Sequence, residues 1–184
     1  MRNNLIAIIA GLGLASGAVA CPEFLDTEMR KLSSKETINF CESYAGRPML
    51  IVNTASKCGL TPQYRGLQEI YSELGPEGLV VIGFPCDQFA NQEPGDDDQI
   101  QEFCEVNYGV SFPLSTKIDV NGSKTHPVFS FLKDRTDGLL GSAIKWNFTK
   151  FLVWPDGTTV KRYRPQTSPD EVRRDAEEML HAPS

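Results

Sequence analysis

The chain has 184 residues, of which 40% are hydrophobic and 23% charged, and its formal net charge is −6. This composition is typical of one globular domain with a buried core and excludes an intrinsically disordered chain. The acidic balance, without clusters of Lys or Arg, argues against nucleic acids and anionic membranes as partners and favours small molecules or proteins.

Residues 1–20 have the pattern of a secretory signal peptide. They contain one basic side chain, an apolar run at 5–14 and small residues at 18–20, just before Cys21. The apolar run is too short to span a bilayer. We therefore expect an exported, periplasmic protein whose mature chain is a single domain, residues 21–184. A lipid anchor on Cys21 is the alternative, although Ala18 stands where a bacterial lipoprotein signal usually has leucine.

The next segment, up to residue 44, has weak periodicity and predicts only short edge strands at 24–25 and 38–40. Two apolar runs, 49–52 and 79–84, then predict buried parallel strands. Between them, Thr61 is the predicted N-cap of an amphipathic helix that ends before residue 75.

This βαβ unit places Cys58 in the turn between a strand and a helix. The positive end of the helix dipole favours an anion there, so Cys58 is placed to be a thiolate. The alternative is a buried cysteine that acts only as a small hydrophobe.

The second half of the chain completes the fold. Asp96, Asp97 and Asp98 head a helix with Ile100 and Phe103 on its buried face. Four further elements are predicted: a strand at 117–120, a short helix at 127–133, a hairpin from 148–154 and 158–163, and a last helix opened by a capping box at Ser168. This order resembles an α/β, thioredoxin-like fold, with a central mixed β-sheet flanked by helices.

Cysteine and histidine usage limits the chemistry. Five cysteines are an odd set in an exported chain, so at least one is free or cycles between oxidation states. The chain has no CxxC motif, and its two histidines, His126 and His181, lie far apart in sequence. We therefore expect no metal site, and no feature of the sequence indicates a cofactor.

Three segments carry a resemblance to a known family: 53–59 (NTASKCG), 84–95 (FPCDQFANQEPG) and 145–151 (KWNFTKF). In sequence, order and spacing they resemble the signature blocks of the glutathione peroxidases. The resemblance implies a peroxidatic Cys58, at the position of selenocysteine in some relatives, surrounded by Gln92, Trp146 and Asn147. The chemistry agrees, because amide and indole N–H groups are uncharged donors that stabilise a thiolate.

The resemblance also implies that Cys104 is the resolving cysteine of members that behave as thioredoxin-dependent peroxidases. It condenses with oxidised Cys58, and for this its helix must unwind locally. The alternative for Cys104 is a buried helical cysteine with no redox role. Cys86 matches a cysteine with a mostly structural role. Asp87 departs from the asparagine of most relatives and places an acidic neighbour near the site.

Cys21 and Cys41 have no catalytic counterpart in the family. In an oxidising compartment we expect them to form a structural disulfide. The segment 133–141 is short, as in family members without the oligomerisation insertion, which implies a monomer.

The implied function is a thiol peroxidase that reduces hydrogen peroxide and organic hydroperoxides. A thioredoxin-type dithiol protein or glutathione would recycle it, and Cys104 together with the acidic chain favours the dithiol protein. There are two alternatives. One is a redox sensor or relay that uses the same cysteines to pass oxidation to a partner protein, and the other is an exported structural domain whose thiols are inert.

Overall fold

The computed structural model describes residues 21, 25–136 and 141–182. The predicted signal peptide, residues 1–20, lies outside the described residues, and so do 22–24 and 137–140. Residues 137–140 belong to the segment 133–141, from which the monomer was predicted. Within the described ranges, no helix is long and apolar enough to cross a membrane.

The described chain alternates short strands and helices. In chain order the elements are β1 (Glu28–Arg30), β2 (Thr37–Asn39), α1 (Phe40–Tyr44), β3 (Met49–Thr54), α2 (Gln63–Leu74), β4 (Val80–Pro85), α3 (Asp97–Tyr108), α4 (Pro127–Arg135), β5 (Lys150–Val153), β6 (Val160–Tyr163) and α5 (Pro169–Leu180).

The central sheet has the strand order β4-β3-β5-β6, while β1 and β2 form a separate antiparallel pair. Strands β3 and β4 run parallel, as the βαβ pattern predicts, and the β3–β5 and β5–β6 pairs are antiparallel. The sheet is therefore mixed. The fold class predicted from the sequence, a thioredoxin-like α/β fold, is confirmed.

Apolar cores cover both faces of the sheet, because successive side chains of a strand point to opposite faces. Leu50 and Val52 of β3 pack with α2, α3 and α5, whereas Met49 and Ile51 pack with α1 and α4. Both strands of the parallel pair are buried along their whole length. The first of these cores contains the cysteines of the predicted site.

Two predicted strands are wrong. Of the predicted strand at 24–25, residue 24 lies outside the described residues, and Leu25 is not in a strand but packs in the core with Phe40. The first strand of the described residues is β1. The segment 117–120 forms no strand, because its backbone donors are used elsewhere. Ile118 N–H donates to the carbonyl of Pro85 at 3.0 Å, and the side chain of Gln88 accepts from Val120 N–H at 2.9 Å.

The remaining elements agree with the sequence patterns. Helix α4 and the β5–β6 hairpin occur where they were predicted, with shifted ends. Asp96 caps α3 in a full capping box with Gln99. Ser168 caps α5 by accepting a hydrogen bond from Glu171 N–H at 3.3 Å. Phe103, predicted to be inward, is only half-buried.

Candidate active site

Cys58 lies in the turn that joins β3 to α2, as the sequence predicted. The hydroxyl of Thr61 fixes this turn from inside: it accepts a hydrogen bond from Cys58 N–H at 3.0 Å and donates one to the carbonyl of Ala55 at 2.8 Å. The prediction of Thr61 as a helix cap is wrong for that reason. Helix α2 begins two residues later, and Pro62, at its N-cap, makes no side-chain cap.

The sulfur of Cys58 is the acceptor of a backbone donor. The side chain is buried, with 8% exposure, and Leu60 N–H donates to Sγ at 3.4 Å. Thr61 N–H and Gln63 N–H donate to the carbonyls three residues earlier, which winds the chain from Cys58 directly into α2. An N–H donor at the amino end of a helix stabilises a negatively charged sulfur.

The loop that carries Gln92 is bound to the cysteine turn. Lys57 N–H donates to the carbonyl of Gln92 at 2.9 Å. Ala90 and Asn91, just before it, have positive φ angles of 53° and 50°, so the loop turns sharply at this point. Asp87 fixes the loop on its other side by accepting from Glu93 N–H at 2.7 Å. Asp87, which stands where most relatives have asparagine, thus stabilises the loop through its carboxylate.

Asn147 joins the third segment to this loop. Its amide Nδ2 donates to Oε1 of Gln92 at 3.0 Å, across 55 residues of sequence. Asn147 is fully buried, and its Oδ1 has no hydrogen-bond partner among the described residues. Trp146, next to it, is 37% exposed, and its ring lies 6.0 Å from that of Phe89. The indole therefore stands at the rim of the site.

Sequence reasoning missed the role of Asn53, a polar residue inside a buried strand. Its Nδ2 donates to the carbonyl of Trp146 at 3.3 Å, and its Oδ1 accepts from Thr149 N–H at 3.1 Å. Its carbonyl accepts from Phe148 N–H at 2.7 Å. Asn53 thus holds the third segment against β3, five residues before Cys58. An amide directly after four apolar strand residues was the available signal.

Lys150, also missed, is a fully buried lysine at the start of β5. Its Nζ donates to the carbonyls of Pro165 and Thr167 at 2.9 and 2.8 Å. Gln63, at the start of α2, donates to the same Pro165 carbonyl at 2.8 Å. Burial lowers the pKa of Lys150 to about 7, and the nearby charge of Glu171 opposes this shift.

Cys104, the predicted resolving cysteine, is fully buried on α3, in the same core as Cys58. Both thiols are free. Burial raises the pKa of the Cys104 thiol to about 12, with Tyr64 opposing and the charges of Glu93 and Glu105 adding to the shift. In the folded helix Cys104 is a protonated thiol.

The other three cysteines lie on the opposite side of the sheet. Cys86 is fully buried in the core formed with α1 and α4, and burial raises its pKa. This position agrees with its interpretation as a packing residue. Cys21 and Cys41 form a disulfide with a Cα–Cα distance of 5.9 Å, the pair expected from the sequence.

Comparisons with known proteins point to one family. The family model described as Glutathione peroxidase matches residues 24–133. The chain is 54% identical over 140 residues to "Glutathione peroxidase homolog BsaA" of Bacillus subtilis, which covers 76% of this chain and 88% of the relative. It is 48% identical over 158 residues to "Glutathione peroxidase-like peroxiredoxin 2" of Saccharomyces cerevisiae, covering 85% of this chain and 96% of the relative.

Two solved structures are similar to this chain, to different degrees. The crystal structure of T. cruzi GPX1 has a TM-score of 0.68 and 33% sequence identity, and the match covers 85% of this chain and 95% of that chain. A Mycobacterium tuberculosis structure, dsbF in mixed oxidised and reduced forms, has a TM-score of 0.61 at 16% identity, covering 86% and 98% of the two chains. The second likeness shows the fold alone.

Proposed function

This chain belongs to the glutathione peroxidase family and is a thiol peroxidase, and we propose that Cys58 is the residue that attacks its hydroperoxide substrate. The observation that carries the proposal is the position of Cys58. Its sulfur accepts the N–H of Leu60 at the amino end of α2, in a turn bound to the Gln92 loop. A reactive cysteine needs such a polarised site, because it favours the thiolate.

The proposed reaction uses hydrogen-bond donors around the Cys58 sulfur. The Cys58 thiolate attacks one peroxide oxygen, the O–O bond breaks, and an alcohol or water leaves while Cys58 becomes a sulfenic acid. The side chains of Gln92, Asn147 and Trp146 supply N–H donors for the thiolate and for the developing oxyanion, and none of them carries a charge. The hydrogen bond from Asn147 to Gln92 fixes the orientation of both amides.

Recycling through Cys104 is the second part of the proposal. Cys104 condenses with the sulfenic acid to a disulfide, which an external thiol then reduces. Since Cys104 is fully buried on α3, this helix must unwind locally first. A shielded disulfide in an acidic protein favours a docking dithiol protein over the anionic tripeptide glutathione, although the exposed Lys57 and Lys145 offer local positive charge.

We also propose that the protein works as a monomer in the periplasm. The sequence of residues 1–20 supports export, and an oxidising compartment suits the disulfide between Cys21 and Cys41. The short segment 133–141 supports the monomer.

The test compares Cys58→Ser with Cys86→Ala, a matched loss of a buried cysteine on the other face of the sheet. Cys58→Ser is expected to retain less than about a tenth of the wild-type kcat/KM for hydrogen peroxide, a loss above about 1.4 kcal/mol. Cys86→Ala is expected to keep its activity. Steady-state assays with a thioredoxin-type protein and with glutathione identify the reductant, and Cys104→Ser is expected to lose turnover with the dithiol protein.

A further inference from the structure

The segment 165–169, which leads from β6 into α5, receives hydrogen bonds from two other elements. Nζ of Lys150, at the start of β5, donates to the carbonyls of Pro165 and Thr167 at 2.9 and 2.8 Å. Nε2 of Gln63, at the start of α2, donates to the same Pro165 carbonyl at 2.8 Å. A carbonyl oxygen has two lone pairs, so Pro165 accepts both donors at once and thereby joins β5 to α2.

The 165–169 segment also packs directly on α2. Gly66 lies in the first turn of α2, and a Cβ atom at this position would be 2.6 Å from Cβ of Pro169. This distance is far shorter than van der Waals contact, so the close approach requires a glycine. Hydrogen bonds and close packing together fix the start of α2 relative to the segment.

The start of α2 is in turn hydrogen-bonded to the Cys58 turn. The backbone N–H of Gln63 donates to the carbonyl of Leu60 at 2.9 Å, and Leu60 N–H donates to Sγ of Cys58 at 3.4 Å. Hydrogen bonds weaken steeply when their distance or angle departs from the optimum. A displacement of Gln63 would therefore weaken the N–H···S hydrogen bond that stabilises a thiolate on Cys58.

Lys150 supplies the fixed end of this chain of contacts. It pairs with Val52 of β3 in the central sheet, and its side chain is fully buried. Burial lowers its pKa to about 7, because removal from water disfavours the charged form. An apolar side chain would avoid this cost, so the hydrogen bonds to Pro165 and Thr167 are what distinguishes a lysine at this position.

We propose that Lys150 and Gln63 are positioning residues for the peroxidase reaction. Through the shared Pro165 carbonyl they hold the start of α2 in place, and with it the Leu60 N–H that donates to Cys58. Neither side chain acts on the hydroperoxide itself. The inference rests on the proposed role of Cys58 as the attacking residue.

The experiment uses Lys150→Met and Gln63→Met, which remove the donors but keep a long, unbranched side chain. Gln68→Met, in the same helix, is the matched control. The Gln68 amide is also half-buried and exchanges two hydrogen bonds with Ser111, at 2.9 and 2.8 Å. These contacts hold α2 to the residues after α3 rather than to the 165–169 segment, so their loss tests for a general effect of weakened helix packing.

Three quantities are measured on each folded variant. They are the free energy of unfolding in urea, the ultraviolet absorbance of the thiolate at neutral pH relative to Cys58→Ser, and the rate constant for oxidation of Cys58 by hydrogen peroxide, from rapid quenching and alkylation. Lys150→Met and Gln63→Met are each expected to slow the oxidation about tenfold and to lower the thiolate absorbance, since a small misplacement at a reacting group has such an effect. Gln68→Met is expected to lose stability but to keep both properties of Cys58.

The double variant of Lys150→Met and Gln63→Met tests the shared carbonyl. Effects that act through one contact are not additive, so the double variant is expected to be no more than about threefold slower than the slower single variant. Single effects that multiply in the double variant would overturn the inference.

The inference is also overturned if Gln63→Met oxidises Cys58 within about twofold of the wild-type rate, or if Gln68→Met slows the oxidation equally. A slowed variant that keeps the wild-type thiolate absorbance would overturn it too. Gln63→Met decides the question alone if Lys150→Met does not fold. A wild-type protein whose Cys58 is not oxidised by hydrogen peroxide would instead refute the proposed role of Cys58, so the two failures are told apart.

Discussion

Thr61 is predicted to be the residue that holds Cys58 in its reactive position. Its hydroxyl serves two buried backbone groups, the N–H of Cys58 and the carbonyl of Ala55, and the side chain is only 3% exposed. Thr61→Val has nearly the same shape but leaves both groups without a partner. Each buried, unpaired group costs about 1–3 kcal/mol, so the free energy of unfolding should fall by about 2–6 kcal/mol.

The matched control is Thr61→Ser, which keeps the hydroxyl and loses one methyl group, at a cost of about 1 kcal/mol. Urea unfolding gives the stability of both variants, and kcat/KM for hydrogen peroxide gives the activity. If the turn moves by an ångström, Thr61→Val loses up to about a hundredfold in kcat/KM, while Thr61→Ser stays near wild type. Equal stability and activity in the two variants would show that the hydroxyl does not position Cys58.

Four further predictions concern other features of the chain. Burial lowers the pKa of Lys150 from 10.5 to about 7, so between pH 7 and pH 10.5 the unfolded chain binds more protons than the folded protein. The free energy of unfolding should therefore rise with pH in this range. Urea unfolding of Lys150→Met should lack this rise. Replacing Cys21 and Cys41 by serine should lower the free energy of unfolding by about 3 kcal/mol in the same assay. Mass spectrometry of the native protein should find a chain that begins at Cys21 and carries no acyl groups. Asn147→Asp places an oxygen against Oε1 of Gln92 and should lower kcat/KM at least about tenfold, with an unchanged value refuting the role of this amide pair.

Local patterns determined much of the fold. The parallel strands, the turn that carries Cys58 and the caps at Asp96 and Ser168 depend on periodicity and on residues within one or two turns of each other. The sequence alone therefore identified the segments of the site and, through their resemblance to a family, the class of reaction. Thr61 shows the limit of local rules, since its hydroxyl has two possible uses and only the folded turn decides between them.

Tertiary structure decided the contacts between distant segments. Asn147 meets Gln92, and Asn53 meets Trp146, because β5 inserts beside β3 in the sheet, and no local pattern specifies that neighbour. The same insertion buries Lys150 at the start of β5. Burial of a charged or polar group depends on which strands become neighbours, and β3 and β5, about a hundred residues apart in sequence, are paired by the tertiary fold rather than by a local pattern. The burial of Glu93 belongs to this second class, since its sequence neighbours are turn residues and only the folded structure removes it from solvent.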